Sequence, residues 1–261
     1  MISNLAQIDT RAKLGSNVIV GPFTTIYENV EIGTGTEISS NVTIYPGSRI
    51  GKNCKIFPGA VIGAVPQDLK FDGEETFAVI GDNTTIRECV TINRGTIDKY
   101  KTEVGSNCLI MAYTHLAHDC IIGNNVIIAN GVQCAGHVEI DNFARIGGLS
   151  AVHQFVKIGK HVMIEGGSMV SKDVPHYVIA GRYPISYEGV NSIGLKRNGL
   201  TQDQINEIQD IYRIIFIHNN NVSKGIAQVE DAIKSSIYRD EIIEFIRSSE
   251  RGVMKGFNKG R

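Results

Sequence analysis

Residues 104–128 read VGSNCLIMAYTHLAHDCIIGNNVII, and an aliphatic side chain recurs there at every sixth position: Val104, Ile110, Leu116, Ile122 and Ile128. The beat runs on through Cys134, Ile140, Ile146, Val152, Ile158, Ile164 and Val170. Towards the N-terminus it returns at Ile80, Ile86 and Ile92, and it is unbroken from Ile8 through Leu14, Val20, Ile26, Ile32, Ile38, Ile44, Ile50 and Ile56 to Ile62. Of these 25 positions only Cys134 is not Ile, Leu or Val. Four residues after each stands a small side chain, such as Thr24, Ser48, Cys54, Ala60, Cys108, Thr114 or Ala144.

A period of six fits neither an amphipathic helix nor an alternating strand. It fits a β-helix, in which each hexad supplies one short strand and one corner. Three hexads make one coil of a triangular prism, so 25 hexads make roughly eight coils, stacked about 4.8 Å apart as parallel strands. The aliphatic residue points inward and the small one fills the narrow space near a corner. Gly often follows the aliphatic residue, as at Gly33, Gly51 and Gly105, and is expected to supply the backbone conformations of the corners.

The beat breaks at residues 64–79, AVPQDLKFDGEETFAV, and again at about 97–103. It stops for good at Pro175. Helical spacing replaces it: Thr201 and Gln204 form a capping box ahead of Ile205, Ile208, Ile211, Tyr212 and Ile215. Ser223 is expected to cap a second helix, and a third is expected from about Asp240 to Ser249. The division predicted is a mainly β prism over 1–190 and an α-helical domain over 191–261, the latter covering the open last coil as repeat folds require.

A formal net charge of −1 gives no nucleic-acid footprint. There is no long apolar run for a transmembrane helix and no basic-then-apolar start of a secretory signal, so the expected location is cytoplasmic. The five cysteines include no CxxC pair. Four of them occupy repeat positions and read as small core residues of a reducing compartment, and Cys89 lies off the inward positions.

Positions 18 apart stack in neighbouring coils. His118 therefore lies under Gly136 and Gly136 under Gln154, while Asp119 lies under His137 and His137 under Phe155. His153 adjoins Gln154, and His115 is three residues from His118. Two chemistries fit this outer edge. Imidazole beside a carboxylate makes a general base able to take a proton from a hydroxyl. Gathered histidines also hold zinc, but no acid or Cys stands at a clear ligand position here, so no metal and no cofactor are expected.

Several stretches carry a family resemblance: PQDLKF (66–71), NRGT (93–96), HLAHDC (115–120), AGHV (135–138), AVHQF (151–155), DVPHYVIAG (173–181) and GVNSIGLKR (189–197). Together they resemble the UDP-N-acetylglucosamine O-acyltransferases of lipid A synthesis, over the whole chain. That resemblance implies a left-handed parallel β-helix. It implies transfer of a 3-hydroxyacyl chain from acyl carrier protein to the 3-hydroxyl of UDP-N-acetylglucosamine, by a homotrimer with sites between subunits. It makes His118 the general base, Asp119 its orienting carboxylate and the Gly136 N–H an oxyanion donor. It makes Asp68, Lys70, His115, His137, His153 and Gln154 sugar and acyl-chain contacts. Asn191 and Arg197 become nucleotide contacts, and Gly166 falls in the region that limits acyl length. Lys157, Lys160, Lys172 and Lys196 are candidates for steering the acidic carrier protein. The chain departs from the family's pattern at Asn93, Asn198 and Glu165. Rival readings are the sugar N-acyltransferase of the same pathway, a zinc-dependent hydratase resembling the γ-type carbonic anhydrases, and a catalytically idle prism used for assembly.

Overall fold

A computed structural model describes residues 1–219 and 221–256. Each of the 25 repeat positions falls in its own short strand, from Gln7–Ile8 to Met169–Val170. The strands stack into three parallel sheets, the faces of a left-handed parallel β-helix. Aliphatic residues stack on one another from coil to coil, Ile26 on Ile44 and Ile44 on Ile62. These side chains form a continuous column: Ile44, Ile62, Ile92, Leu116 and Cys134 are all fully buried. Burial of such side chains is the main stabilising contribution, about 1.5–3 kcal/mol each.

The small residues also lie inside. Their hydroxyls are not orphaned: Thr24 Oγ1 donates to Ser39 O (2.7 Å) and Thr36 Oγ1 to Gly51 O (2.8 Å). The thiols at these slots are inert, since burial pushes Cys120 up to about 12 and raises Cys54 and Cys108 above the ordinary range. Cys89 stands exposed at a corner.

Of the glycines that follow an aliphatic residue, Gly63 takes the expected left-handed conformation (φ 78°) and the others act differently. A Cβ on Gly33 would lie 2.6 Å from Gly51 O, and one on Gly105 would lie 2.6 Å from Gly123 O. These positions are glycine because the next coil's backbone presses on them. The left-handed corner conformation falls two residues later, often on Asn, as at Asn53 (φ 52°) and Asn107 (φ 58°). Asn tolerates that region through local hydrogen bonding.

Both breaks preserve the prism by inserting whole hexads. Ile62 pairs with Ile92 across the first, and Ile92 with Leu116 across the second, where unbroken coils pair residues 18 apart. Beyond Val170 a strand Val178–Gly181 continues one face and an antiparallel strand Ser186–Val190 follows it.

Four helices come next: α1 (Ser192–Arg197), α2 (Gln202–Tyr212), α3 (Val222–Ala232) and α4 (Ile237–Arg247). The capping box of Thr201 and Gln204 is formed, and Ile205, Ile208, Ile211, Tyr212 and Ile215 are buried as their spacing implies. Ser223 is not a cap. Asn221 is, its side chain accepting from Lys224 N (3.1 Å). The last helix is capped by Ser236, so it starts three residues before Asp240. The short α1 had no periodicity to announce it, and the segment Arg213–His218, which carries Ile215, is π-helical where the spacing implied a continued α-helix. Residues 257–261 of the expected helical segment lie outside the described residues. The helices dock on the last coil through polar contacts: Tyr212 OH donates to His176 O (2.6 Å), Ser249 Oγ to Asp173 Oδ2 (2.6 Å), and Lys160 pairs with Glu241.

Candidate active site

His118 and Asp119 follow the strand His115–Leu116 at a corner, where Asp119 takes the left-handed conformation (φ 59°). His118 Nδ1 lies 2.8 Å from Asp119 Oδ2. Asp119 is fully buried and His118 nearly so, at 8% exposure, so the pair sits deeper than an outer edge. Burial alone would raise the Asp119 carboxyl. Hydrogen bonds from the Thr96 hydroxyl, His118 and the Thr96 N–H more than offset it, and the group lies below its ordinary value. A carboxylate facing Nδ1 holds the neutral ring as the Nδ1–H tautomer and leaves the lone pair on Nε2.

That Nε2 faces Gly136 in the next coil. A Cβ on Gly136 would lie 2.7 Å from both Cε1 and Nε2 of His118. The coil is locked there by His137 N donating to His118 O (3.0 Å) and Phe155 N to Gly136 O (3.1 Å). Among the described residues the Gly136 N–H has no hydrogen-bond partner. Nε2 thus lies against the backbone of a residue whose N–H is uncommitted among the described residues, and a base beside such a donor is what acyl transfer uses.

His137 stacks on Phe155 (4.5 Å between centroids) and meets His118 edge-on (5.1 Å). Its Nε2 is 3.7 Å from Asp119 Oδ2, and its Nδ1 is 3.1 Å from Asp98 Oδ2 without the alignment of a hydrogen bond. Burial lowers its affinity for a proton, with Asp119 opposing. A cleft of 390 Å³ opens beside it, walled by Lys99, Glu139, Phe155 and Lys157.

The other expected residues divide. Gln154 and His153 sit two coils on, with His153 exposed and its Nδ1 3.2 Å from Gln154 O. His115 lies on the strand face, with Nδ1 2.7 Å from Thr91 Oγ1. Asp68 and Lys70 occupy the first inserted loop, where Asp68 Oδ1 accepts from Lys70 N (3.0 Å). Arg94 over Phe71 (5.2 Å) and Ile97 N donating to Glu74 (3.2 Å) pin that loop to the segment beside Asp119. Asn191 caps α1 and donates to His161 O (2.9 Å), so both ends of its amide are engaged. Arg197 is exposed at the end of α1 and makes no ion pair among the described residues. Gly166 stacks on Gly148, whose carbonyl would be 3.3 Å from an added Cβ, while neighbouring Glu165 packs against Gly181. Two departures from the family pattern have local work: Asn93 Nδ2 donates to Val65 O (3.1 Å) and Asn198 Nδ2 to Gly194 O (2.8 Å). Lys160 and Lys172 are tied to Glu241 and to Arg251 O, which leaves Lys157 and Lys196 as the freer cations of that group.

The premise that no acid stands at a ligand position is corrected by the fold. Ligand atoms of His118, Asp119 and His137 lie within 4.8 Å of one another. However, the Asp119 oxygens already receive Thr96 N, Thr96 Oγ1, Lys99 N and His118 Nδ1. A cation there would have to displace the hydrogen bond that orients the base. Exhaustive chelation followed by gel filtration is therefore expected to leave turnover within about twofold. Loss of activity that zinc restores would contradict this.

Comparison with known proteins decides the family. A family profile described as UDP N-acetylglucosamine O-acyltransferase, domain 2, matches residues 173–254, and one described as bacterial transferase hexapeptide (six repeats) matches 11–46 and 101–136. The acyl-[acyl-carrier-protein]–UDP-N-acetylglucosamine O-acyltransferase of Aliarcobacter butzleri is 45% identical over 97% of each chain. The crystal structure of the UDP-N-acetylglucosamine acyltransferase of Bacteroides fragilis is 50% identical, covers 98% of this chain and 100% of its own, and superposes with a TM-score of 0.95. That of Francisella novicida is 38% identical, with a TM-score of 0.95 over 99% and 95% of the two chains. The chain belongs to the UDP-N-acetylglucosamine O-acyltransferase family. Membership extends over prism and helices alike, and neither the sugar N-acyltransferase nor the zinc hydratase reading is favoured by these matches. Among the described residues, no helix of this family member is long and apolar enough to cross a membrane.

Thr96, Thr102 and Lys99 escaped the sequence reading. All three lie in or beside the second inserted segment, where the 18-residue arithmetic does not apply. The quoted stretch NRGT contains Thr96, but nothing in its spacing pointed at Asp119.

Proposed function

We propose that this protein transfers a 3-hydroxyacyl chain from acyl carrier protein to the 3-hydroxyl of UDP-N-acetylglucosamine, the first step of lipid A biosynthesis, with His118 as general base. The observation that carries the chemistry is the His118 ring held at Nδ1 by buried Asp119 while its Nε2 faces the Gly136 backbone. The sugar hydroxyl gives its proton to His118 Nε2 as its oxygen bonds to the thioester carbonyl carbon. The carbonyl oxygen becomes an oxyanion and accepts from the Gly136 N–H. Asp119 stabilises the imidazolium. Collapse reforms the carbonyl, breaks the carbon–sulfur bond, and passes the proton from Nε2 to the departing thiolate. No covalent enzyme intermediate is required.

His137, His153 and Gln154 are assigned to the bound sugar and acyl chain along the stacked corner, with Asp68, Lys70 and His115 approaching from the loop and the strand face. Asn191 and Arg197 are assigned to the nucleotide. Those two lie on α1, away from His118, which fits a homotrimer whose sites form between subunits. Incubation with UDP-N-acetylglucosamine and a panel of hydroxyacyl carrier proteins tests the reading. One hydroxyacyl group added through an ester is expected. An amide product, or no product across the panel, would overturn it.

The Gly148–Gly166 stack leaves a shallow groove without side chains. We assign it to the far methylenes of the acyl chain. Neither glycine is in the left-handed region, so a side chain is conformationally allowed. Gly166→Met should exclude roughly four methylenes at about 0.8 kcal/mol each, or about two decades in kcat/KM for long chains, with shorter chains unaffected. An unchanged chain-length profile in the folded mutant would reject the assignment.

A further inference from the structure

We propose that Thr96 is a positioning residue, whose hydroxyl fixes the Asp119 carboxylate so that His118 presents Nε2, not Nδ1, to the reacting oxygen. The inference rests on the assignment of His118 as the base. Thr96 stands outside the six-residue repeat, in the inserted segment that leaves the prism after Asn93. It is 7% exposed. It grips both carboxylate oxygens: its N–H donates to Oδ1 (3.0 Å) and its hydroxyl to Oδ2 (2.6 Å).

The direction of the hydroxyl proton follows from its other contact. Asp98 N donates to Thr96 Oγ1 (3.3 Å), which occupies a lone pair and sends the single hydroxyl proton to Oδ2. Oδ2 is the same oxygen that holds His118 Nδ1. Behind it, Asp119 N donates to Thr102 Oγ1 (2.8 Å), so the backbone is held as well as the side chain. Among donors to the carboxylate, the Thr96 hydroxyl is the strongest influence opposing burial.

The charged and titratable groups around the carboxylate come from three elements. His118 shares its corner. His137 faces Oδ2 at 3.7 Å from the next coil, with Asp98 on its far nitrogen. Lys99 directs its backbone N–H at Oδ1 and its Nζ at Glu139 (2.7 Å). None of these replaces a proton donated to Oδ2 along the Thr96 direction. Without that donor the carboxylate is harder to keep ionised, and while ionised it holds the imidazolium proton more tightly. Both effects deplete the active form, carboxylate with neutral imidazole, as pH falls. The acid limb of the rate profile therefore moves up in pH whichever dominates.

Thr96→Val keeps the shape and removes the donor. Its kcat/KM is expected to fall about tenfold, chiefly in kcat, with the acid limb displaced upward by about one pH unit. Thr96→Ser is expected to restore both. A second readout needs no substrate: with 15N-histidine labelling, and the His118 signal assigned by its loss in His118→Ala, the neutral ring should be Nδ1–H in the wild type and a tautomer mixture in Thr96→Val. If Thr96→Val does not fold, Thr96→Ala is read in the same two ways. An unshifted limb with an unchanged tautomer overturns the proposal, as does an equal fall in the Ser and Val variants. If the wild type transfers no acyl group yet its tautomer responds to Thr96→Val, the function reading falls and the positioning role stands.

Discussion

His118→Ala is expected to lower turnover by about 10² to 10⁴, the range for a positioned general base, while leaving melting nearly unchanged. The two halves of that expectation have separate causes. Catalysis falls because the base is removed, and His137, the imidazole packed against His118, has its Nε2 3.7 Å from Asp119 Oδ2. Stability persists because His118 is not one of the inward residues. Leu116 and Cys120, fully buried on either side of it, carry the core. The deletion does not orphan Asp119, whose oxygens keep Thr96 N, Thr96 Oγ1 and Lys99 N as donors. Losing one of several hydrogen bonds costs far less than losing the last. Turnover above about a tenth of wild type would remove His118 from the role.

Gly136→Ala should be nearly as damaging, for a reason that lies in one distance. Its new Cβ would stand 2.7 Å from His118 Cε1 and Nε2, closer than carbon atoms can approach, so the ring must give way. The ring is held at Nδ1 by Asp119 and flanked by His137, so it moves away from its productive line. A misplacement near 1 Å costs about 10² in rate, and the methyl crowds the place where the oxyanion forms. Gly136 has no left-handed φ, so the backbone tolerates alanine, and displacing the buried ring is expected to cost about 1–3 kcal/mol of stability without abolishing the fold. The double variant with His118→Ala separates the causes. If displacement of the base dominates, Gly136→Ala in that background should cost less than about tenfold further. A full second loss would assign the damage to the oxyanion site.

The sequence was legible wherever the register was unbroken. From Leu116 to Val152 the coils pair residues 18 apart, so arithmetic alone placed His118 against Gly136 and His137 against Phe155. It did not give depth: the column positions of His118 and Asp119 were right, yet their burial depends on the inserted segment that folds over them. Across that insertion Thr96 meets Asp119 at a separation of 23, which no repeat rule predicts. The glycines after the aliphatic residues were found, but apart from Gly63 their cause is crowding between coils and not corner conformation, and both favour glycine. In the tail the capping box at Thr201 was readable as a reciprocal pair. The cap at Asn221 was not, since Ser223 two residues on offers the same chemistry.

The central claim is that His118 Nε2 takes the proton from the sugar hydroxyl. Its most direct test is kcat/KM against pH, with the chemical step made rate-limiting by single turnover, for wild type and His118→Ala. The wild-type rate is expected to fall on the acid side through protonation of one group, and the residual mutant rate to lack that limb. The same acid limb surviving in His118→Ala would place the base elsewhere.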